Sequence, residues 1–363
     1  MGLRTLLIEG RAFPRPKVCG GCLNSRALRV LSAVGLQSLV DELQGEPVRG
    51  MSMQSAGRSA FIKLPLGLSV TRQSLDLALI DAAKTAGATV LTETNATVEL
   101  DIKDGFRELT LRQPDRSLRV HARVVVCADG LLRSSLRGLP EMGPCPAPDA
   151  RMGVGIILHR DQLSAGQAAQ FPKECITMLV GLGGYVGLAW AEHNQLSLAG
   201  AVDPRVVKES GSPAAVVQKI LKTNGIDFPT IESGWYGTPP LTTVPRWNSA
   251  ERLFVIGDAA GYVEPFTGEG MAAALEQSVA VLPYLTKAVQ HWQPELATAW
   301  QEQHRTRFRR RQRVCRMASA FLRRPWLSST ALCLFRLFPR VAGYFVNSIN
   351  RPSTLSPPNH IER

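Results

Sequence analysis

The chain has no run approaching the roughly 18 apolar residues that a membrane-crossing helix needs. An ordinary helical span is therefore not expected. No secretory leader is legible either: Met1 to Ile8 is short and meets Glu9 at once. Histidine is scarce. His121, His159, His193, His291, His304 and His360 fall in no metal-ligating spacing, and no Gly-x-Ser-x-Gly occurs. Metal centres and serine-type hydrolysis thus lack support. The seven cysteines, an odd number in a long chain, argue for reduced thiols and a cytoplasmic setting. Acid is under-represented: 42 Lys and Arg against 30 Asp and Glu leave a net charge of +12. That balance suits phosphate-bearing cofactors, diphosphate lipids or an anionic membrane face. Nucleic acid would need a recognition motif, and none is present, so it is not expected as a partner. There is no internal repeat and no low-complexity tract.

What is present reads as a large globular protein. Hydrophobic residues make up 45% and charged residues 20% of 363 positions, enough for one large core or two domains. The most informative stretch is Arg252-Leu253-Phe254-Val255-Ile256-Gly257-Asp258-Ala259-Ala260-Gly261, continuing through Pro265 to Gly268-Glu269-Gly270-Met271. It predicts a short apolar strand, a Gly-Asp turn, a loop, and a helix from about Gly270 to Leu285. An Asp ending a strand can bond a sugar hydroxyl. Glycines admit a flat ring close to the backbone. A helix N-terminus favours negative charge before it. The plainer reading is an ordinary strand-turn-helix.

Further motifs accumulate. Val124-Val125-Val126-Cys127-Ala128-Asp129-Gly130 precedes Ser134 and Arg137. Arg72 and Asp76 are spaced Arg-x-x-x-Asp before Gly87-Ala88. Phe13-Pro14-Arg15-Pro16-Lys17-Val18-Cys19-Gly20-Gly21 stands near the start. Together these resemble the FAD-dependent oxidoreductases of the para-hydroxybenzoate hydroxylase-type superfamily, and are most similar to its geranylgeranyl reductase branch. The likeness runs from about residue 5 to 290. It implies FAD contacts at Glu9, Lys17, Cys19, Gly20, Gly21, Arg72, Val98, Asp129, Gly130, Gly257, Asp258, Pro265, Gly268, Glu269, Gly270 and Met271. It also implies NAD(P)H as external reductant and a hydrophobic small-molecule substrate, and it assigns no catalytic side chain.

One part of the superfamily pattern is not found. Its opening strand, Gly-x-Gly-x-x-Gly loop and first helix normally hold the pyrophosphate, with a ribose-binding acid about 20 residues later. Leu6-Leu7-Ile8-Glu9 looks like the second strand and its acid, and only eight residues precede Glu9. The first unit is expected to be absent from this sequence, with weak FAD affinity as the consequence. Gly181 to Gly187 is the nearest glycine cluster. It lies between strand-like runs at 176–180 and 196–199, so it reads as a turn in a sheet.

The expected fold class is α/β: an incomplete Rossmann-like FAD-binding domain (1–58, 70–145 and 246–290), a second, mostly antiparallel β-sheet substrate domain (59–69 and 146–245), C-terminal helices (291–350) and a disordered tail (351–363). Helices are predicted over 25–34, 72–86 and 213–224, and strands over 3–9, 59–66, 89–91, 94–100, 108–112 and 118–127. Residues 305–316 are dense in arginine, and Trp326 to Ile349 is apolar with interruptions. A solvated or docked helix, lid helices over a greasy tunnel, and peripheral membrane contact are all compatible with this region.

Cys19-Gly20-Gly21-Cys22 allows three readings: a zinc half-site, a dithiol redox pair before a helix N-terminus, or glycines that let the chain pass a ring. The function these observations favour is reduction of a C=C bond in an isoprenoid or similar molecule by reduced flavin. A flavin monooxygenase acting on an aromatic or polyketide-like substrate is the alternative. A truncated, non-catalytic chain that holds no FAD is the alternative of a different class.

Overall fold

The computed structural model describes residues 2–264 and 268–323, together with Thr330, Leu332 and Cys333. β1 (Leu6–Ile8) is followed by β2 (Cys22–Leu23), α1 (Ser25–Ala33) and α2 (Gln37–Glu42). A long hairpin of β3 (Glu46–Ser55) and β4 (Arg58–Ser69) leads to α3 (Arg72–Thr85) and β5 (Thr89–Leu91). α1 begins where the sequence predicts, because the Asn24 side chain accepts from the Arg26 and Ala27 N–H groups, 3.1 Å each. α3 begins at Thr71, whose hydroxyl accepts from the Ser74 N–H, and Gly87 at φ +90° follows its end. β1 and β5 pair in parallel, Leu7 opposite Val90.

β6 (Asn95–Lys103), β7 (Phe106–Arg112) and β8 (Ser117–Ala122) form an antiparallel meander. The single strand expected over 118–127 is in fact two. β9 (Val125–Cys127) leaves the meander and runs parallel to a later strand, Leu253–Val255. The switch falls at Arg123 and Val124, where Arg252 takes over: its carbonyl accepts from Val125 N at 2.9 Å and its Nη1 donates to the Arg123 carbonyl at 3.1 Å.

The substrate-side sheet collects β10 (Met152–His159), β11 (Cys175–Gly181), β12 (Gly184–Ala191), β13 (Gln195–Val202) and β14 (Tyr236–Pro240). Its eight strands run in the order β14-β10-β13-β12-β11-β3-β4-β2, antiparallel except for β11 against β3. The glycines at 181–187 form the tight β11–β12 turn, with Gly183 at φ +85°. Residues 46–58, expected in the nucleotide-binding domain, belong instead to this sheet, because β3 pairs on one side with β4 and on the other with β11. One face is covered by α4 (Ala165–Ala169), α5 (Pro204–Ser210) and α6 (Pro213–Thr223). From α6, Val216, Val217, Ile220 and Leu221 join Leu179, Val186 and Leu188 in a buried core. The other face is left to a cavity.

β15 (Ser249–Ala250) and β16 (Leu253–Val255) complete the sheet begun by β9. After β16 come α7 (Glu269–Ala280), α8 (Leu282–Gln290) and α9 (Pro294–Leu322). The one helix expected over 270–285 is broken near Val281, where Pro283 in the first turn of α8 lacks an N–H to continue α7. β1 pairs only with β5 and β9 only with β16 among the described residues, so the parallel half of the fold is in two pieces. Pro265, most of 326–349 and all of 351–363 lie outside the described residues. Among those described, no helix is long and apolar enough to cross a membrane.

α1 and α7 are joined by a buried ion cluster. Arg26, 1% exposed, donates from Nε and Nη2 to Glu276 at 2.9 and 2.7 Å, and from Nη1 to Glu269. Removing the cation would leave two buried carboxylates facing each other. Arg26→Met is therefore expected to cost about 3–5 kcal/mol in denaturant unfolding at pH 7. In that variant the two carboxylates, deprived of the cation, have raised folded-state pKa values, so part of the loss returns as pH falls through them. A wild-type-like midpoint at pH 7 would refute the role given to Arg26.

Candidate functional site

A cavity of about 1560 Å³ lies between the parallel strands and the uncovered face of the large sheet. One wall grows out of β16. Leu253, Phe254 and Val255 are fully buried, so the chain can emerge at Ile256 only toward the cavity. Gly257 at φ +65° makes the turn, and its N–H donates to Gln277 Oε1 on α7 at 3.0 Å. Asp258 follows and faces the cavity. Its carboxylate receives no hydrogen bond among the described residues. Burial pushes Asp258 upward, against the pull of Lys17 and Arg72. An acid raised in the folded state costs stability when ionised, and the cost is relieved as pH falls through its folded value.

The turn is fixed from behind by Arg133. That buried guanidinium donates to the carbonyls of Ala259, Met142 and Trp247 and to Asn248 Oδ1. Asn248 in turn donates to the Ala260 carbonyl at 2.8 Å. Burial lowers the Arg133 guanidinium to about 10, which leaves it charged at neutral pH. Gly268 at φ +65° opens α7 without a side-chain cap, and Gly268, Gly270 and Met271 line the cavity. The N–H groups of that first turn favour an anion or an electron-rich ring edge.

The facing wall is the segment from Lys17 to Cys22. Gly21 at φ +67° passes so close to β4 that an added Cβ would lie 2.4 Å from the Val70 carbonyl oxygen. Arg72 is held by a two-toothed ion pair with Asp76, 2.8 Å at each bond. Lys17 lies among Arg72, Asp258 and Asp76. Burial lowers its amine, Arg72 lowers it further, and the two carboxylates oppose this. Two cations and two acids thus converge at one end of the cavity.

Twelve of the residues that the sequence nominated line this space: Lys17, Cys19, Gly20, Gly21, Arg72, Asp129, Gly130, Gly257, Asp258, Gly268, Gly270 and Met271. Three do not. The Glu9 carboxylate folds back on its own loop, accepting from Arg11 N at 3.1 Å and pairing with Arg15 at 3.3 Å. Val98 is fully buried in the core between the meander and β16. Glu269 spends its carboxylate on Arg26 rather than on the cavity. Pro265 lies outside the described residues. Sequence reasoning missed Arg11 and Arg15 on the cavity wall, and the Arg133–Asn248 brace behind it. It also missed the apolar far end built from Met51, Met53, Ile62, Met178, Tyr185 and Leu241. The period-two burial of β4, with Ala60 and Ile62 inward and Phe61 and Lys63 outward, was the available signal for that end.

A flavin dinucleotide fits these residues. The Asp258 carboxylate suits a hydroxyl donor, the α7 N-terminus suits the electron-rich edge of the ring, and Gly20, Gly257 and Gly270 leave room for it.

The fold and site define a flavin-nucleotide-binding α/β protein. The chain belongs to the FAD binding domain family, whose model matches residues 1–313. It is 24% identical over 315 residues to conditioned medium factor receptor 1 of Dictyostelium discoideum, covering 76% of this chain and 57% of that protein. To digeranylgeranylglycerophospholipid reductase 2 of Methanosphaera stadtmanae it is 25% identical over 236 residues, covering 60% and 54%. The chain thus spans little more than half the length of these relatives. The solved structure of PqsL, a probable FAD-dependent monooxygenase from Pseudomonas aeruginosa, shares the fold with a TM-score of 0.67 at 19% identity, over 91% of this chain and 93% of that one.

If Asp258 bonds the sugar-alcohol chain of FAD, Asp258→Ala removes a charge-assisted bond worth about 1.5–3 kcal/mol, roughly ten- to a hundredfold in Kd. Because the carboxylate is strained by burial, the flavin-free variant should melt no lower than wild type. Fluorescence titration with FAD and a thermal melt check both halves. Unchanged FAD affinity would remove Asp258 from the site.

Proposed function

We propose that this chain is an FAD-dependent oxidoreductase that reduces a C=C bond of an isoprenoid or similarly long hydrophobic molecule, with NAD(P)H as external reductant. The supporting observation is the division of the cavity. Lys17, Arg72 and Asp258 stand together on one part of the wall, while Met51, Met53, Ile62, Met178 and Leu241 line the part that the large sheet provides. Such a space takes an extended apolar molecule and excludes water from its reacting end.

FAD, when bound, supplies the two-electron hydride chemistry. The protein's part is positional and electrostatic. Asp258 and the glycine turns orient the cofactor. Lys17 and Arg72 offset negative charge at the polar end. The tyrosines Tyr185 and Tyr262 face the cavity, and burial pushes both phenols well up, so each holds its proton at Oη. Either is placed to give a proton to the carbon adjacent to the one that receives hydride.

A flavin monooxygenase is the second reading, favoured by the shared fold of PqsL and by the polar handles Tyr236 and Thr238 on the far wall. One experiment separates the two. FAD-loaded protein is reduced and mixed with polyprenyl and aromatic candidates, first without oxygen and then with it. Gain of two hydrogens by a prenyl chain under anaerobic conditions supports the reductase. Oxygen incorporation only in air supports the monooxygenase. No retained flavin at any FAD concentration sinks both and leaves the non-catalytic reading.

Peripheral contact with an anionic membrane is part of the proposal. Arg305, Arg307 and Arg313 are exposed on α9, and the apolar cavity is lined by Met317 and Leu322 of the same helix. Sedimentation with phosphatidylglycerol vesicles should carry the protein down at low salt and release it at high salt. Binding equal to that on neutral phosphatidylcholine vesicles would refute an electrostatic contact.

A further inference from the structure

Cys19 and Cys22 are both free thiols, and both line the cavity. The cofactor contacts described above use neither sulfur. Their segment is pinned on two sides. Ser197 Oγ donates to the Cys19 carbonyl at 3.5 Å, the Gly21 carbonyl accepts from Val70 N at 2.8 Å, and Cys22 pairs with Ser69 across β2 and β4. Between the thiols, Gly20 has open space where a side chain would be, and Gly21 at φ +67° bends the chain.

The two sulfurs differ in surroundings. Cys19 lies beside Lys17 and Arg72, the kind of cationic neighbourhood in which thiols act as nucleophiles. Cys22 donates from Sγ to the Gly20 carbonyl at 3.2 Å, and burial pushes its thiol up to about 12, so it stays protonated. Cys19 thus stands with the cations and Cys22 against a backbone carbonyl.

We propose that Cys19 and Cys22 are a redox-active dithiol on the cavity wall, with Cys19 attacking and Cys22 resolving, that exchanges with small-molecule disulfides of the glutathione type. In the first step the Cys19 thiolate attacks one sulfur of the external disulfide. A mixed disulfide forms, and one small thiolate leaves and takes a proton. In the second step the Cys22 sulfur, giving up its proton, attacks Cys19 and expels the second small thiol. The protein loses two electrons and two protons, and the external disulfide gains them. The proposal rests on the cavity wall and not on a substrate, so its failure leaves the flavin reading standing, and failure of that reading leaves the dithiol standing.

The test uses the full chain equilibrated in glutathione buffers from fully reduced to fully oxidised, quenched by alkylation and digested with trypsin. The peptide Val18–Arg26 contains both thiols and no other cysteine. Wild type should pass from a doubly alkylated peptide to one lacking two hydrogens, without accumulating a glutathione adduct. Cys22→Ser should trap the adduct on Cys19, while Cys19→Ser should leave Cys22 alkylated throughout. A wild-type peptide still doubly alkylated in fully oxidised glutathione would overturn the proposal. So would a stable adduct in wild type, or an adduct on Cys22 in the Cys19→Ser chain. If either variant melts as unfolded, the wild-type peptide alone decides.

Discussion

The site depends first on a buried guanidinium. Arg133 is 2% exposed and stands behind the Asp258 turn, with the carbonyls of Ala259, Met142 and Trp247 and the Asn248 amide oxygen around it. Placing a cation there costs several kcal/mol in desolvation, which four acceptors offset only if their geometry is good. The acceptors come from three separate segments. Arg133 therefore holds the Asp129–Gly130 loop, the 247–248 segment and the Gly257–Ala260 turn in one arrangement. Arg133 is itself in the left-handed region, at φ 45°. Arg26 likewise joins α1 to α7. Two buried arginines thus hold the elements around the cavity from behind.

Burial also sets the electrostatic state of the site. Asp258 and Lys17 are both displaced by burial toward their neutral forms, and each is partly restored by the other. A pair left so balanced responds to a ligand that adds or removes charge nearby. In a surface site the same groups would be screened and indifferent. Burial against the cavity wall is what keeps them responsive, and the other face of the large sheet is occupied by α6.

Much of this was legible in the sequence where short-range rules act. Asn24 announced the start of α1 and Gly87 the end of α3, and the Gly257-Asp258 turn was visible from one apolar run and its glycines. The hidden parts required partners far away in sequence. β3 was passed over because Glu46 to Ser55 has no striking alternation, and what makes it a strand is pairing with both β4 and β11. The break between β8 and β9 depends on Arg252, more than a hundred residues later. Glu269 sat inside a cofactor motif and was nominated as a contact. Only the position of Arg26 shows that its carboxylate serves packing.

Net charge misdirects in a related way. A balance of +12 suggested a site built to attract acids. At the polar end of the cavity, Lys17 and Arg72 are matched by Asp76 and Asp258, and the wall segment bearing Arg15 carries Glu9 beside it. The excess sits elsewhere, notably in the arginines at 305, 307, 309, 310, 311, 313 and 316 on α9. A cavity with little net charge and a low dielectric favours ligands whose own charge is local and directed, held by dipoles and single ion pairs. The exposed arginines described on α9, Arg305, Arg307 and Arg313, favour extended anionic surfaces, where many weak contacts add. On the proposed function, the two kinds of acidic partner that composition alone could not tell apart would fall to different parts of the molecule.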